Sequence, residues 1–191
     1  MKGQFLQHIN QYISLDKNDF LEVLSYFDVL DLPKKTLILE EGQVCRFNYF
    51  VLKGCLNMYF TDEKGSKRTV QFALENWWIT DYLAFQNKAV TDFSIQTIED
   101  CQILAITQEN QNSVLSQFPQ LEKYFRAVYQ TAYGASLKRM KFLYDFSKEE
   151  MYFHFITEFP AFAQRIPQYL IASFLGLTPE YVSEIRKKKR S

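Results

Sequence analysis

The chain has 191 residues, 47% of them hydrophobic and 17% aromatic, and its 22 Lys/Arg balance 22 Asp/Glu. That is a globular composition, long enough for one large domain or two small ones with a real core, and it excludes disordered and fibrous classes. No stretch is apolar enough to span a bilayer, M-K-G-Q-F-L-Q-H-I-N carries no apolar leader, and Cys45, Cys55 and Cys101 are too scattered for a disulfide framework or a four-thiolate metal site. A cytoplasmic protein with reduced, buried thiols and no membrane partner is expected.

Residues 5–30 read as helical, with Phe5, Ile9 and Ile13 on one stripe and Phe20, Leu21, Leu24 and Phe27 on another. The pattern breaks near 14–17, where Ser14 is a candidate N-cap. From Leu32 the period falls to two, and short β-branched and aromatic runs follow at 36–39, 48–52, 55–60, 68–72, 93–98 and 102–106. Lys53-Gly54 and Asp62-Glu63-Lys64-Gly65 close hairpins, Gly42 follows two glutamates, and Asn87-Lys88 sits in a longer loop. Many short strands with such turns predict a small antiparallel roll or barrel.

After Thr107 the helical period returns. Leu121, Phe125, Val128, Ala132, Ala135, Arg139 and Phe142 step by three and four, and no proline interrupts Gln120 to Phe146. That is a helix of about seven turns. Small Ala132 and Ala135 in mid-seam suit pairing with a second copy. The alternative is a helix packed only on its own domain, which Gly134 would weaken. Ser147-Lys148-Glu149-Glu150 then forms a capping box and opens a helix from Glu149 to Phe159, ending at Pro160.

Residues 166–190, I-P-Q-Y-L-I-A-S-F-L-G-L-T-P-E-Y-V-S-E-I-R-K-K-K-R, read as two short helices and a tight turn. Pro167 suits a first turn, and Leu170, Phe174 and Leu175 keep helical spacing. Gly176 supplies a left-handed stop. Thr178 is an N-cap with Pro179 at the first helical position. Val182 and Ile185 face inward, Ala172 is small where the helices touch, and Leu177 plugs the turn, which together make a helix-turn-helix. Glu180, Ser183, Arg186 and Lys187 lie outward. Arg186 can pair bidentately with guanine, Glu180 can accept from a cytosine amine, and Ser183 suits a base or a phosphate. Thr178 and the free amides at the helix start suit phosphate, as do Lys188 and Lys189. The plainer alternative is a helix hairpin whose outer charges are merely solvated.

Zero net charge hides an asymmetry. Residues 1–110 carry 10 Lys/Arg against 15 Asp/Glu, residues 111–162 carry 6 against 5, and residues 163–191 carry 6 against 2. An acidic front and a basic tail orient a molecule tail-first toward DNA.

This order of parts resembles the cyclic-AMP receptor protein / fumarate-nitrate regulator (Crp/Fnr) superfamily of bacterial transcription factors over nearly the whole chain. The resemblance rests on the roll with Gly42 and F-V-L-K-G at 50–54, the long helix, and S-K-E-E-M-Y…F-P…R-I-P-Q-Y-L-I-A-S-F-L-G-L-T-P-E-Y-V-S-E-I-R-K-K, which is especially similar to a Bacteroidetes-type subgroup. It implies an α+β fold in three parts: a cyclic-nucleotide-binding-type antiparallel β-roll at 1–118, a dimerisation helix at 119–146, and a winged-type helix-turn-helix at 147–191. It further implies a homodimer on double-stranded DNA, a small-molecule effector, and RNA polymerase as a further partner. The family's recognition contacts fall on Thr178, Pro179, Glu180, Ser183 and Arg186, and Pro179 replaces the arginine that the best-known members use.

Members that bind cyclic AMP carry Gly-Glu and then Arg-Ser/Thr-Ala. Here Thr80-Asp81 and Thr91-Asp92-Phe93 stand in those places, and no arginine occurs between Arg68 and Arg126. A cyclic phosphate needs a paired cation or aimed N–H groups, and Asp92 would repel it, so cyclic AMP is not expected to bind in the usual way. Tyr59, Phe72, Trp77, Trp78, Asp81, Tyr82, Phe85, Thr91, Asp92 and Phe93 are candidates to line a pocket for another effector, against the plainer reading that the aromatics are core. His8 and His154 are the only histidines, too few for a cupin-type metal site, and no nucleophile motif, P-loop or dinucleotide fingerprint appears. No cofactor and no enzyme activity are expected. The reading is a DNA-binding regulator, the alternative a ligand-binding signalling module whose tail contacts a protein.

Overall fold

The computed structural model describes residues 2–190, except for the side chains of Lys2, Lys189 and Arg190. Contacts divide the chain into two compact units. One runs up to Phe60 and takes in Gln71–Gln130, and the other consists of Thr61–Val70 and the chain from Thr131 on.

The first unit opens with helices α1 (Lys2–Ile9) and α2 (Lys17–Leu24). Asp16, not Ser14, caps α2, its carboxylate accepting from the amides of Asn18 at 2.8 Å and Asp19 at 2.9 Å. The helical reading through residue 30 also stops short. Strand β1 (Asp28–Leu32) pairs with the strand Cys101–Thr107, so long-range pairing overrides the local spacing of Phe27 and Leu30.

Strands β2 (Leu37–Leu39), β3 (Phe47–Lys53), β4 (Leu56–Thr61), β5 (Lys67–Ala73), β6 (Trp78–Ile79), β7 (Ser94–Thr97) and β8 (Cys101–Thr107) follow, with α3 (Tyr82–Asn87) after β6 and α4 (Gln108–Gln117) after β8. They form two four-stranded sheets, ordered β1-β8-β3-β6 and β2-β7-β4-β5. The six expected strands all appear, each within a residue or so of its sequence bounds. Only glycine fits at residue 54, where φ is +101° and a Cβ would lie 2.5 Å from Cys101 Sγ and 2.8 Å from the Asp100 carbonyl. Cys45, Cys55 and Cys101 are buried thiols outside any disulfide, and burial pushes Cys101 up to about 11.

One face of the first sheet carries Phe50, Leu52, Leu104 and Ile106, and the helices cover it. Spaced by four on α1, Phe5 and Ile9 insert there, and the Phe5 ring meets Phe50 at 4.6 Å, Phe27 at 5.3 Å and Phe20 and Trp78 at 6.0 Å. Burying each such side chain contributes about 1.5–3 kcal/mol. Helix α5 (Leu121–Asp145) begins in this core, and its Tyr124 hydroxyl accepts from Trp78 Nε1 at 2.8 Å and lies 2.9 Å from His8 Nδ1. Burial lowers the His8 pKa, which favours the neutral ring beside the phenol.

The second unit holds the rest of α5, then α6 (Lys148–Glu158), α7 (Pro160–Arg165), α8 (Gln168–Phe174) and α9 (Pro179–Arg190). The expected capping box is present, with the Ser147 hydroxyl accepting from the Glu150 amide and the Glu150 carboxylate accepting from the Ser147 amide. As expected, that helix ends before Pro160: α6 stops at Glu158 with Phe159 as its C-cap, and Pro160 opens a separate helix, α7, since a proline needs no N–H partner in a first turn. The tip of the β4–β5 hairpin, Thr61–Val70, belongs to this unit. Among the described residues no strand follows β8, so the wing implied by the resemblance has no counterpart there.

Helix α5 corrects the expected seam. Leu121 and Phe125 are buried in the first unit's core and Val128 packs against it, so they face their own chain. Ala132 is half-buried and Ala135 exposed. In the second unit Phe142 and Phe146 continue inward, their rings each 4.9 Å from that of His154. The uncovered stripe is another one, Tyr133, Leu137, Met140 and Tyr144, spaced by four, three and four and between 46% and 85% exposed. Periodicity marks an apolar face; it does not say which body covers it.

Replacing Tyr124 by Phe leaves the buried Trp78 N–H without an acceptor. The expected cost is about 1–3 kcal/mol, read as a lower denaturation midpoint with an unchanged m-value.

Candidate nucleic-acid interface

Helices α8 and α9 are built by the signals that predict them. Gly176 adopts φ +69°, and the amide of Leu177 returns to the Ala172 carbonyl at 2.8 Å, closing α8. Pro167 stands at the N-cap position, one residue before the first-turn place expected, with an extended ψ of 135°. Thr178 Oγ1 accepts from the Tyr181 amide at 3.2 Å and caps α9. Val182, Ile185 and Ala172 are 1% exposed or less, and Leu177 is buried in the turn. Their burial turns the remaining faces of α9 outward.

Up to Lys188 that outer side is exposed, taking in Thr178, Pro179, Glu180, Ser183, Glu184, Arg186, Lys187 and Lys188. Pro179, Glu180, Ser183, Glu184 and Lys187 line one shallow open depression. Arg186 leans instead toward α8, its Nη1 donating to Gln168 Oε1 at 2.8 Å. The Ser183 hydroxyl donates to the Pro179 carbonyl at 2.9 Å, which leaves its lone pairs outward as acceptors. Lys188 pairs with Glu184 at 3.1 Å, and this carboxylate raises the lysine pKa. Such exposed pairs are weak, so a phosphate could replace Glu184. The sequence reading missed Glu184 and Gln168; Glu184 was legible as the residue one turn beyond Glu180. The expected phosphate contact Lys189 lies outside the described side chains.

The expected effector residues lie in different settings. Trp78 is buried in the helix-side core, and Tyr82 packs edge-on against Tyr129 at 5.1 Å, with its hydroxyl pKa raised by burial. Phe72 is buried within the strands and Asp92 is exposed. Asp81 and Thr91 alone form a unit. The buried Thr91 hydroxyl donates to Asp81 Oδ2 at 2.8 Å, and Asp81 Oδ1 accepts the Ala84 amide as the cap of α3. Behind them Thr80 Oγ1 donates to the Phe47 carbonyl and lies 3.2 Å from Cys45 Sγ. Both Asp81 oxygens are therefore used within the fold.

Residues 29–118 match the sequence model of the cyclic nucleotide-binding domain. The span runs from β1 through α4 and contains both sheets. Solved structures extend the likeness of this cyclic-nucleotide-type fold to the C-terminal helices. The "c-di-GMP Responsive Global Regulator CLP" of Xanthomonas campestris is 13% identical with a TM-score of 0.76, covering 92% of each chain. A CooA mutant from Carboxydothermus hydrogenoformans is 17% identical with a TM-score of 0.69, covering 97% of this chain and 84% of that one. The catabolite activator protein of Thermus thermophilus is 18% identical with a TM-score of 0.58, covering 92% and 84%. At these identities the shared feature is the fold. Comparison with curated protein sequences gives no match. No described helix is long and apolar enough to cross a membrane.

Asp81→Ala removes a helix cap and the acceptor of a buried hydroxyl. A loss of about 1–3 kcal/mol is expected, and the same substitution should leave unfolding cooperative.

Proposed function

We propose that this chain is a sequence-specific DNA-binding transcription regulator of the Crp/Fnr superfamily, close to the Bacteroidetes-type subgroup, and that it acts as a homodimer. The observation that carries the reading is the α8–α9 pair: a glycine-stopped helix, a threonine-capped second helix, and one continuous exposed face holding Glu180, Ser183, Arg186 and Lys187. A helix so presented fits a major groove, and paired recognition helices bind half-sites about one helical turn apart. The charge balance supports it, since residues 163–191 hold 6 Lys/Arg against 2 Asp/Glu while residues 1–110 are acidic.

Dimerisation through α5 is supported by the stripe Tyr133, Leu137, Met140 and Tyr144. Four large apolar side chains at heptad-like spacing on one helix call for a cover, and a second copy of the same stripe supplies a self-complementary one. The roll serves as a sensor that does not take cyclic AMP in the usual way, because Asp81 and Thr91 satisfy each other and no arginine lies between Arg68 and Arg126. A small effector of other chemistry remains compatible with this domain.

On a duplex enriched from a random library, Arg186→Ala should cost about 1–3 kcal/mol and relax selection at one base position. Lys187→Ala should weaken all duplexes alike and reduce the salt slope by about one. If both variants behave like the lysine change, Arg186 makes no base contact.

Leu137→Glu with Met140→Glu places charges on an exposed stripe and should leave the fold intact. Sedimentation should then report a monomer where the parent is a dimer, and an unchanged dimer would move the interface elsewhere.

A further inference from the structure

Within the second unit, Arg139 is used in an unusual way. Its guanidinium donates through Nη1 to the Val70 carbonyl on β5 and through Nη2 to the Phe174 carbonyl on α8 at 2.7 Å, and it lies 4.0 Å over the Phe174 ring. Burial lowers its pKa, and among the described residues no carboxylate pairs with it. An arginine held by two carbonyls and a ring keeps its charge by satisfying the end of a helix, since the last carbonyls of α8 have no partner inside it. Ser173, the neighbour of Phe174, closes the same junction. Its hydroxyl accepts from the Thr69 amide at 3.0 Å and donates to the Lys67 carbonyl at 3.0 Å. β5 is an edge strand of its sheet, so Ser173 stands where a further strand would bond. Salt bridging of Arg68 to Asp62 at 2.7 Å firms the hairpin tip itself.

We propose that Arg139 and Ser173 are positioning residues for DNA reading: they clamp α8 to the tip of the β4–β5 hairpin and so set how α9 is presented. Strands β4 and β5 of that hairpin are neighbours in one sheet, β2-β7-β4-β5. The functional half of this inference rests on the DNA-reading assignment, and the structural half does not.

The test uses the full chain with Arg139→Met, Arg139→Lys and Ser173→Ala, followed by amide hydrogen exchange and by binding to an enriched duplex. Exchange at Thr69 should speed up about tenfold in the Met and Ala variants, less in the Lys variant, with Val51 and Ile103 in the roll unchanged. Affinity for the duplex should fall about tenfold while the selected sequence stays the same, because presentation and not base contact is lost. Unchanged exchange at Thr69 overturns the clamp. Faster exchange with unchanged or tighter DNA binding overturns the positioning role. If Arg139→Met does not fold, Ser173→Ala decides on the same criteria. A parent protein that enriches no duplex contradicts the DNA reading, and exchange alone then decides whether the clamp exists.

Discussion

The long helix α5 is the constraint on which the rest depends. Its Leu121, Tyr124 and Phe125 complete one core, while Arg139, Phe142 and Phe146 serve a second. A helix of 25 residues with apolar side chains on two sides cannot cover both within one small chain. What is left over, the Tyr133–Tyr144 stripe, is the physical basis for proposing a second copy. The buried link from Trp78 through Tyr124 to His8 fixes the start of this helix against the roll, and breaking it leaves a polar group stranded in an aromatic core.

The roll matches the cyclic nucleotide-binding domain model over residues 29–118 and carries its own hydrogen-bonded pair at Asp81 and Thr91. There Asp81 caps α3 and accepts from Thr91, so this segment is closed by its own hydrogen bonds. A fold of this type can hold an effector only by offering it something better than these internal partners. Helices α8 and α9 are arranged differently: inward positions such as Ala172, Val182 and Ile185 are buried, and outward polar groups are held by exchangeable contacts such as Arg186 to Gln168 and Lys188 to Glu184. Weak exposed pairs order side chains without committing them.

Much of this was legible in the sequence because the signals were local. Gly176, Thr178 and Pro179 each need a particular backbone conformation, and the Ser147–Glu150 box and six strands follow from short-range patterns. The misses share a cause. β1 forms because β8 lies beside it, β6 is two residues long and has no period, and the stripe on α5 that faces inward is set by the partners it finds. Trp78 and Tyr82 looked like pocket residues because aromatic composition does not distinguish a core from a cavity. The contacts of Arg139 leave no local pattern either, since Val70 and Phe174 are distant in sequence and offer it two backbone carbonyls and one ring.

The most direct measurement is selection from a random duplex library with the purified protein, followed by binding of the enriched site with and without cyclic AMP. The account predicts an inverted repeat with half-sites about one helical turn apart and affinity that cyclic AMP does not change. Enrichment of no sequence, with or without cell extract, would contradict DNA reading by α9.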